Sequence, residues 1–216
     1  MLSDGQAGPL RLDNGGLIRA VIFDLGGVIV PLDFSSAYAA MEALCPYKAA
    51  EIPKRIRSSG LVEKYETGQL NSESFVAQLS ALLDLHVTCE QFRELWSTLF
   101  LPDPLIPEAL FADLSRRYPL ILLSNTNEIH FENIRARFPL LRHFQHLVLS
   151  YQVGAAKPSR RIYEEAIARS GCRAGECFYT DDVPAYVDGA KQAGIDAVHF
   201  LNFEQLEREL RARGIV

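Results

Sequence analysis

Short apolar runs alternate with amphipathic segments along most of the chain. The apolar runs are rich in β-branched residues and too continuous for strands exposed on one face, which is typical of the buried strands of a parallel sheet. They cover residues 18–23, 119–123, 146–149, 177–180 and 195–200. Between them the apolar positions recur with the period of a helix. This alternation predicts an α/β fold with a Rossmann-like parallel sheet wound on both faces by helices.

Residues 34–103 break this alternation. They contain no convincing strand, and their apolar residues recur at helical spacing in two stripes. The stripes consist of Phe75, Leu79, Leu82 and Leu83 and of Phe92, Leu95, Trp96 and Leu99. Thr88 and Gln91 have the spacing of a capping box at the start of the second of these helices. We therefore expect a helical insert at 34–103, an α/β core formed by 17–33 and 104–216, and a flexible leader at 1–16.

The composition and net charge narrow the classes of function. The 216 residues are 48% hydrophobic, and 22 basic against 27 acidic side chains give a net charge of −5. This balance argues against binding to nucleic acid or to an anionic membrane, both of which need a basic face. No apolar run approaches the roughly 20 residues of a membrane-spanning helix. The N-terminus lacks an apolar signal core and the four cysteines are scattered, which favours a cytoplasmic protein.

Polar residues follow four of the predicted strands, at the edge where open α/β sheets bind their ligands. Asp24 follows the first strand and precedes two glycines, which let the backbone curl around a small anion. The hydroxyl and amide side chains of residues 124–127 follow the second strand. Lys157 comes after the third strand, and Asp181 and Asp182 come after the fourth. A carboxylate, hydrogen-bond donors, a cation and a carboxylate pair at one edge are what Mg²⁺-assisted phosphoryl transfer needs.

Four segments, in this order, resemble the four motifs of the haloacid dehalogenase-like (HAD) hydrolase superfamily. They read FDLGGVIV from Phe23, LLSNTN from Leu122, GAAKPSRRIY from Gly154 and YTDDVPAYVDGAKQAG from Tyr179. The doubled aspartate and the early helical insert are similar to the subgroup that carries a helical cap after the first motif. Within that subgroup the chain looks most like sugar-phosphate phosphatases with an FDLG-type first motif. The motifs span nearly the whole chain.

The resemblance implies a nucleophile and a metal site. Asp24 would attack phosphorus and form an aspartyl-phosphate. Mg²⁺ would be bound by Asp24, by the carbonyl of Gly26 and by Asp182. Asp181 would lie outside the direct ligands or serve as a weaker one.

The resemblance also implies a phosphate site. Ser124 and Asn125 would hold the phosphoryl oxygens. Lys157 would bind both the phosphate and the nucleophilic carboxylate, and its charge would keep that carboxylate ionised. Asn127 is a further candidate in the same segment. His130, one helical turn later, is a candidate proton carrier near neutral pH.

The chain departs from the usual family pattern at three positions. Gly26 stands where the family usually has a second aspartate, the general acid and base, a step normally worth about 10²–10⁴-fold. The FDLG-type relatives share this feature. Tyr186 and Val183 stand where polar residues are common, which leaves fewer polar groups around the metal.

Three functions remain open at this stage. The first is a Mg²⁺-dependent phosphatase of a small phosphorylated metabolite, with the insert acting as a lid. The second is a metal-independent 2-haloacid dehalogenase, against which the Asp181–Asp182 pair argues. The third is a homologue that binds phosphate with weak or no turnover. Tyr38, Tyr65 and Glu66 lie in the insert and are candidates to contact the substrate, and the sequence offers no basis for choosing among them.

Overall fold

Five parallel strands form a single sheet in the computed structural model, which describes residues 17–216. The expected leader at 1–16 lies outside the described residues. The strands are β1 (Ala20–Phe23), β2 (Leu120–Ser124), β3 (His146–Leu149), β4 (Cys177–Asp181) and β5 (Asp196–His199). Their order in the sheet is β3-β2-β1-β4-β5, and every neighbouring pair is parallel. Because β1 is central, a residue that follows it lies between the ends of β2 and β4.

The predicted insert, residues 34–103, contains five helices. They are α1 (Phe34–Glu42), α2 (Ile52–Ser59), α3 (Leu61–Glu66), α4 (Ser72–Leu83) and α5 (Cys89–Trp96). Their apolar faces pack into a buried cluster of their own, in which the rings of Phe75 and Trp96 meet edge to face at 5.3 Å. Ile129 is the core residue that joins this cluster. The predicted capping box at Thr88 and Gln91 is confirmed at the start of α5.

The two chain segments that connect the insert to the sheet run side by side. The backbone N–H of Asp33 donates to the carbonyl of Leu99 at 2.7 Å. The N–H of Leu101 donates to the carbonyl of Pro31 at 3.1 Å. These two bonds tie the entry and exit of the insert together at one point of the core.

The remaining helices cover both faces of the sheet, as the alternating pattern predicts. They are α6 (Glu108–Leu114), α7 (Glu128–Arg137), α8 (Ser150–Val153), α9 (Arg160–Ser170), α10 (Pro184–Gln192) and α11 (Phe203–Ala212). Short 3-10 turns at Pro139–His143 and Ala174–Glu176 lead into β3 and β4. Successive strand residues alternate between the faces. Phe23 and Leu122 pack with α6, α7 and α11, whereas Ile22 and Tyr179 pack with α9 and α10.

None of the helices in the described part of the chain is long and apolar enough to cross a membrane.

Candidate active site

Three acidic side chains and one lysine meet beyond the carboxyl ends of β1 and β4. The ammonium Nζ of Lys157 lies 2.8 Å from Oδ1 of Asp24 and 2.6 Å from Oδ2 of Asp181. Asp182 joins them, since oxygens of all three carboxylates lie within 4.8 Å of one another. Asp24, Asp181 and Lys157 are buried, and Asp182 is half-buried. The structure thus brings together residues from three of the four polar segments that the sequence singled out.

The pairing of β1 with β4 sets the positions of the two buried aspartates. The backbone N–H of Asp24 donates to the carbonyl of Thr180 at 3.1 Å, which continues the ladder one residue past β1. Asp181 is the last residue of β4 and points to the same face as Tyr179, two residues earlier. The Tyr179 hydroxyl donates to Oδ2 of Asp181 and accepts from Nζ of Lys157 at 3.2 Å. Tyr179 was not among the residues singled out from the sequence, although its spacing of two from Asp181 on one strand was a usable signal.

Lys157 is held in place through its backbone by Asn125. Oδ1 of Asn125 accepts from the N–H of Lys157 at 2.7 Å, and Nδ2 of Asn125 donates to the carbonyl of Lys157 at 3.0 Å. The ammonium group also donates to the carbonyl of Leu123 at 3.2 Å. The side-chain amide of Asn125, expected to hold phosphoryl oxygens, is thus engaged with the lysine that follows β3. Ser124 is buried beside it, and its hydroxyl makes a long 3.4 Å contact to the carbonyl of Asn125.

Gly27 allows the carboxylate of Asp182 to approach the loop after β1. Its φ is +78°, in the left-handed region, and a Cβ at this position would lie 2.2 Å from Oδ2 of Asp182. Glycine is therefore required there by both conformation and space. Hard carboxylate oxygens are the ligands that Mg²⁺ prefers. The carboxylates of Asp24 and Asp182 lie beside Asp181, and the charge of Lys157 balances the three only partly, so that this site fits such an ion.

Burial and mutual charge perturb the titration of these groups. Burial raises the pKa of Asp24 to about 7, the charge of Lys157 limits this rise, and the charge of Asp181 adds to it. Burial acts to lower the pKa of Lys157, but the charges of Asp24 and Asp181 outweigh it, so that this pKa lies above its usual value. Burial, followed by the charge of Asp181, raises the pKa of Asp182. Such perturbed groups in one cluster are typical of functional sites.

Asn127 and His130 are engaged in structural contacts. Asn127 caps α7 through a 3.0 Å bond from the N–H of His130 to its Oδ1. Both ring nitrogens of His130 have partners, at 3.1 Å to Nδ2 of Asn127 and 2.9 Å to the carbonyl of Trp96. Burial lowers the pKa of His130 to about 4. The expectation that His130 faces the site as a proton carrier is therefore wrong, because its ring is stacked on Trp96 at 5.2 Å and joins the insert to α7.

The position of the missing second aspartate is bounded by an apolar side chain. A Cβ at Gly26 would lie 3.1 Å from Cδ1 of Leu32. Tyr186, another departure, places its hydroxyl 3.4 Å from Nδ2 of Asn125 and its ring centroid 5.0 Å from Nζ of Lys157. Tyr186 therefore borders the carboxylate–lysine cluster, and Leu32 packs beside Gly26.

Several known proteins resemble this chain in sequence and in fold. The profile of the haloacid dehalogenase-like hydrolases matches residues 18–194. A D-ribitol-5-phosphate phosphatase from Bacteroides thetaiotaomicron is 28% identical over 90% of this chain and 97% of its own length. A HAD family enzyme from the same organism, in a magnesium complex, superposes with a TM-score of 0.80 at 24% identity, covering 90% of this chain and 98% of that one.

A third relative is a HAD-like family hydrolase from Porphyromonas gingivalis. It superposes with a TM-score of 0.76 at 28% identity, covering 91% of this chain and 99% of that one. The match to the family profile extends from β1 through the loop after α10 and so includes every residue of the carboxylate–lysine cluster. This chain belongs to the haloacid dehalogenase-like hydrolases.

Proposed function

We propose that this hydrolase is a magnesium-dependent phosphatase of small phosphomonoesters and that Asp24 is its nucleophile. The observation that carries the proposal is the 2.8 Å contact between the buried Asp24 carboxylate and Lys157, beside the carboxylates of Asp181 and Asp182. A carboxylate nucleophile needs a cation close to the phosphoryl group that it attacks. Lys157 supplies that cation from a fixed position.

Asp24 and Asp182 are the residues that would hold Mg²⁺, with the carbonyl of Gly26 as a third ligand. The ion, when bound, would offset the negative charge of the phosphoryl group. Asp181 has one oxygen on Lys157 and Tyr179, and its other oxygen accepts from the N–H of Val183 at 2.8 Å. Both oxygens are thus in use, which supports a role for Asp181 in orienting Lys157.

The protein's own residues account for the first chemical step. Asp24 attacks phosphorus, the bond from phosphorus to the substrate oxygen breaks, and the phosphoryl group becomes bonded to a carboxylate oxygen of Asp24. Lys157 stays close to this oxygen and stabilises the charge on the transferring group. Ser124, whose hydroxyl has only a long contact to Asn125, is our proposed side-chain donor to that group. Water then attacks phosphorus and releases Asp24.

The substrate class that we propose is a phosphorylated sugar or sugar alcohol. The support is the D-ribitol-5-phosphate phosphatase that is 28% identical along almost its whole length. We further propose that residues 34–103 form a cap over a core of residues 17–33 and 104–216. The separate apolar cluster of the insert and its paired connections support this division. The cytoplasmic location expected from the sequence stays a prediction.

The test is phosphate release from a panel of sugar and sugar-alcohol phosphates that includes D-ribitol 5-phosphate. We expect release that requires Mg²⁺ and falls below detection in Asp24→Asn. Asp188→Asn, which removes an exposed aspartate of α10, is the matched control and should keep wild-type activity. Release of halide from a 2-haloacid in the presence of a chelator would instead support the dehalogenase. Binding of Mg²⁺ and phosphate without turnover on the whole panel would support the non-catalytic alternative.

A further inference from the structure

The proposed phosphatase reaction needs a proton donor that the loop after β1 does not supply. An alkoxide is a poor leaving group, so the substrate oxygen must receive a proton as its bond to phosphorus breaks. Gly26 has no titratable group, and the space beside it is bounded by Leu32. The donor must therefore come from another element that faces the site.

The other titratable groups near the site are unsuited to this role. His130 has both ring nitrogens engaged and contacts the insert. Burial raises the pKa of Tyr186 above its usual value of 10, so its proton is held too tightly near neutral pH. The Tyr179 hydroxyl is buried and bonded to Asp181 and Lys157.

Glu66 is the last residue of α3, and residues shortly before and after it contact the core. The hydroxyl of Tyr65 accepts from the N–H of Ile129, at the start of α7, at 3.2 Å. Gly68 lies so close to α8 that a Cβ there would be 2.3 Å from the carbonyl oxygen of Tyr151. Glu66 is therefore fixed at the junction between the insert and the core.

The charge of Lys157, in the carboxylate–lysine cluster, acts on the carboxylate of Glu66. Burial raises the pKa of Glu66 to about 7, and the charge of Lys157 opposes the rise. The charge of Glu66 in turn contributes to the raised pKa of Tyr186, after burial. A Cβ at Gly154 would lie 4.0 Å from the carbonyl oxygen of Thr67, which places Glu66 beside the loop that carries Lys157. Among the described residues, no hydrogen bond engages its half-buried carboxylate.

We propose that Glu66 is the catalytic acid and base of this enzyme, delivered to the site by the insert. The proposal rests on the phosphatase function proposed above. As the bond from Asp24 to phosphorus forms, the carboxylic acid of Glu66 gives its proton to the departing substrate oxygen. The resulting carboxylate then takes a proton from the water that attacks phosphorus, which frees Asp24 and restores the acid. The sum is phosphomonoester plus water to alcohol plus phosphate.

A comparison of leaving groups tests this role. The variant is Glu66→Gln, which keeps the size of the side chain and removes its proton chemistry. The first substrate is the sugar or sugar-alcohol phosphate that wild type hydrolyses fastest, which is an alkyl phosphate. The second is p-nitrophenyl phosphate, an aryl phosphate whose phenolate leaves without protonation. We expect kcat/KM to fall about 10²–10⁴-fold for the alkyl phosphate and less than about tenfold for the aryl phosphate. Glu63→Gln, on the exposed side of α3, is the matched control and should behave as wild type on both.

The pH profile gives a second readout. Wild-type kcat/KM for the alkyl phosphate should decline as pH rises through about 7, because the acid must be protonated in the first step. This decline should be absent in Glu66→Gln and present in Glu66→Asp. An equal loss on both substrates with an unchanged profile, or no loss on either, would overturn the role of Glu66 while the phosphatase function stands. Wild type that is inactive on all substrates would overturn the phosphatase function, and this proposal with it.

Discussion

Lys157 Nζ and Asp24 Oδ1 lie 2.8 Å apart, and both side chains are buried. Residue 24 follows the central strand and residue 157 lies in the loop that leads to α9, so the pair joins two distant parts of the chain. Oδ2 of Asp181 lies 2.6 Å from the same ammonium group. Two carboxylates thus share one buried cation, which makes this cation necessary for stability as well as for the proposed chemistry.

Lys157→Met is therefore expected to destabilise the protein strongly. The substitution keeps most of the side-chain volume but leaves Asp24 and Asp181 buried without a counter-charge. Breaking a buried pair in this way typically costs about 3–5 kcal/mol. Urea denaturation measures the loss, with Lys191→Met on the exposed side of α10 as control, expected within about 0.5 kcal/mol of wild type. Equal stability of the two variants would contradict the account of the pair.

Asn125→Ala should lower both stability and turnover. The substitution removes two hydrogen bonds to the backbone of Lys157, at 2.7 and 3.0 Å. The loss in free energy of unfolding should be about 1–3 kcal/mol, because backbone groups of Lys157 lose their partners. We expect kcat to fall more than KM changes, since the ammonium group is no longer held in position. Unchanged kcat in Asn125→Ala would argue against this positioning role.

Gly27→Ala should weaken Mg²⁺ binding, whereas a matched glycine substitution should not. Both Gly27 and Gly171 have positive φ, but only at Gly27 would a Cβ meet Asp182; at Gly171 nothing lies within 4 Å. The shared backbone strain should cost each variant about 1–2 kcal/mol of stability. Calorimetric titration with Mg²⁺ separates the two effects. Equal affinity in Gly27→Ala and Gly171→Ala would contradict the placement of Asp182 in the metal site.

His130 should make the protein less stable as the pH falls. Its pKa is about 4 in the folded state, below its usual value of 6.5, so the unfolded chain binds the proton more readily. The contribution of His130 to the free energy of unfolding is complete above pH 6.5. As the pH falls to 4, the free energy of unfolding decreases by up to about 3 kcal/mol. The stability difference between wild type and His130→Gln should therefore shrink over this range. His86→Gln, at an exposed position, should show the wild-type pH dependence; a constant difference for His130→Gln would refute the prediction.

The strands and the carboxylate–lysine cluster were predictable because each follows from a local pattern. All five strands lie within the predicted apolar runs or extend them by one residue. The strand ends of a parallel sheet meet at one edge, so polar residues placed just after them had to approach each other. For this reason Asp24 and Asp182 could be assigned to this edge from the sequence alone.

The remaining features depend on contacts between segments that carry no periodic signal. The amide of Asn125 bonds to a backbone 32 residues away, and His130 bonds to a carbonyl 34 residues away. Neither partner can be chosen from composition or spacing. Glu66 belongs to the same class, since its environment arises only when the turn after α3 packs on α8. The helical pattern of the insert predicts its helices, but it does not show which of their side chains face the site.

The most direct measurement is a crystal structure of the enzyme with Mg²⁺ and beryllium fluoride, a mimic of a phosphoryl group. We expect beryllium fluoride bonded to a carboxylate oxygen of Asp24 and within hydrogen-bond distance of Lys157. We also expect Mg²⁺ between Asp24 and Asp182. Beryllium fluoride bound elsewhere, with the Asp24 carboxylate free while Mg²⁺ occupies another site, would contradict the proposed nucleophile.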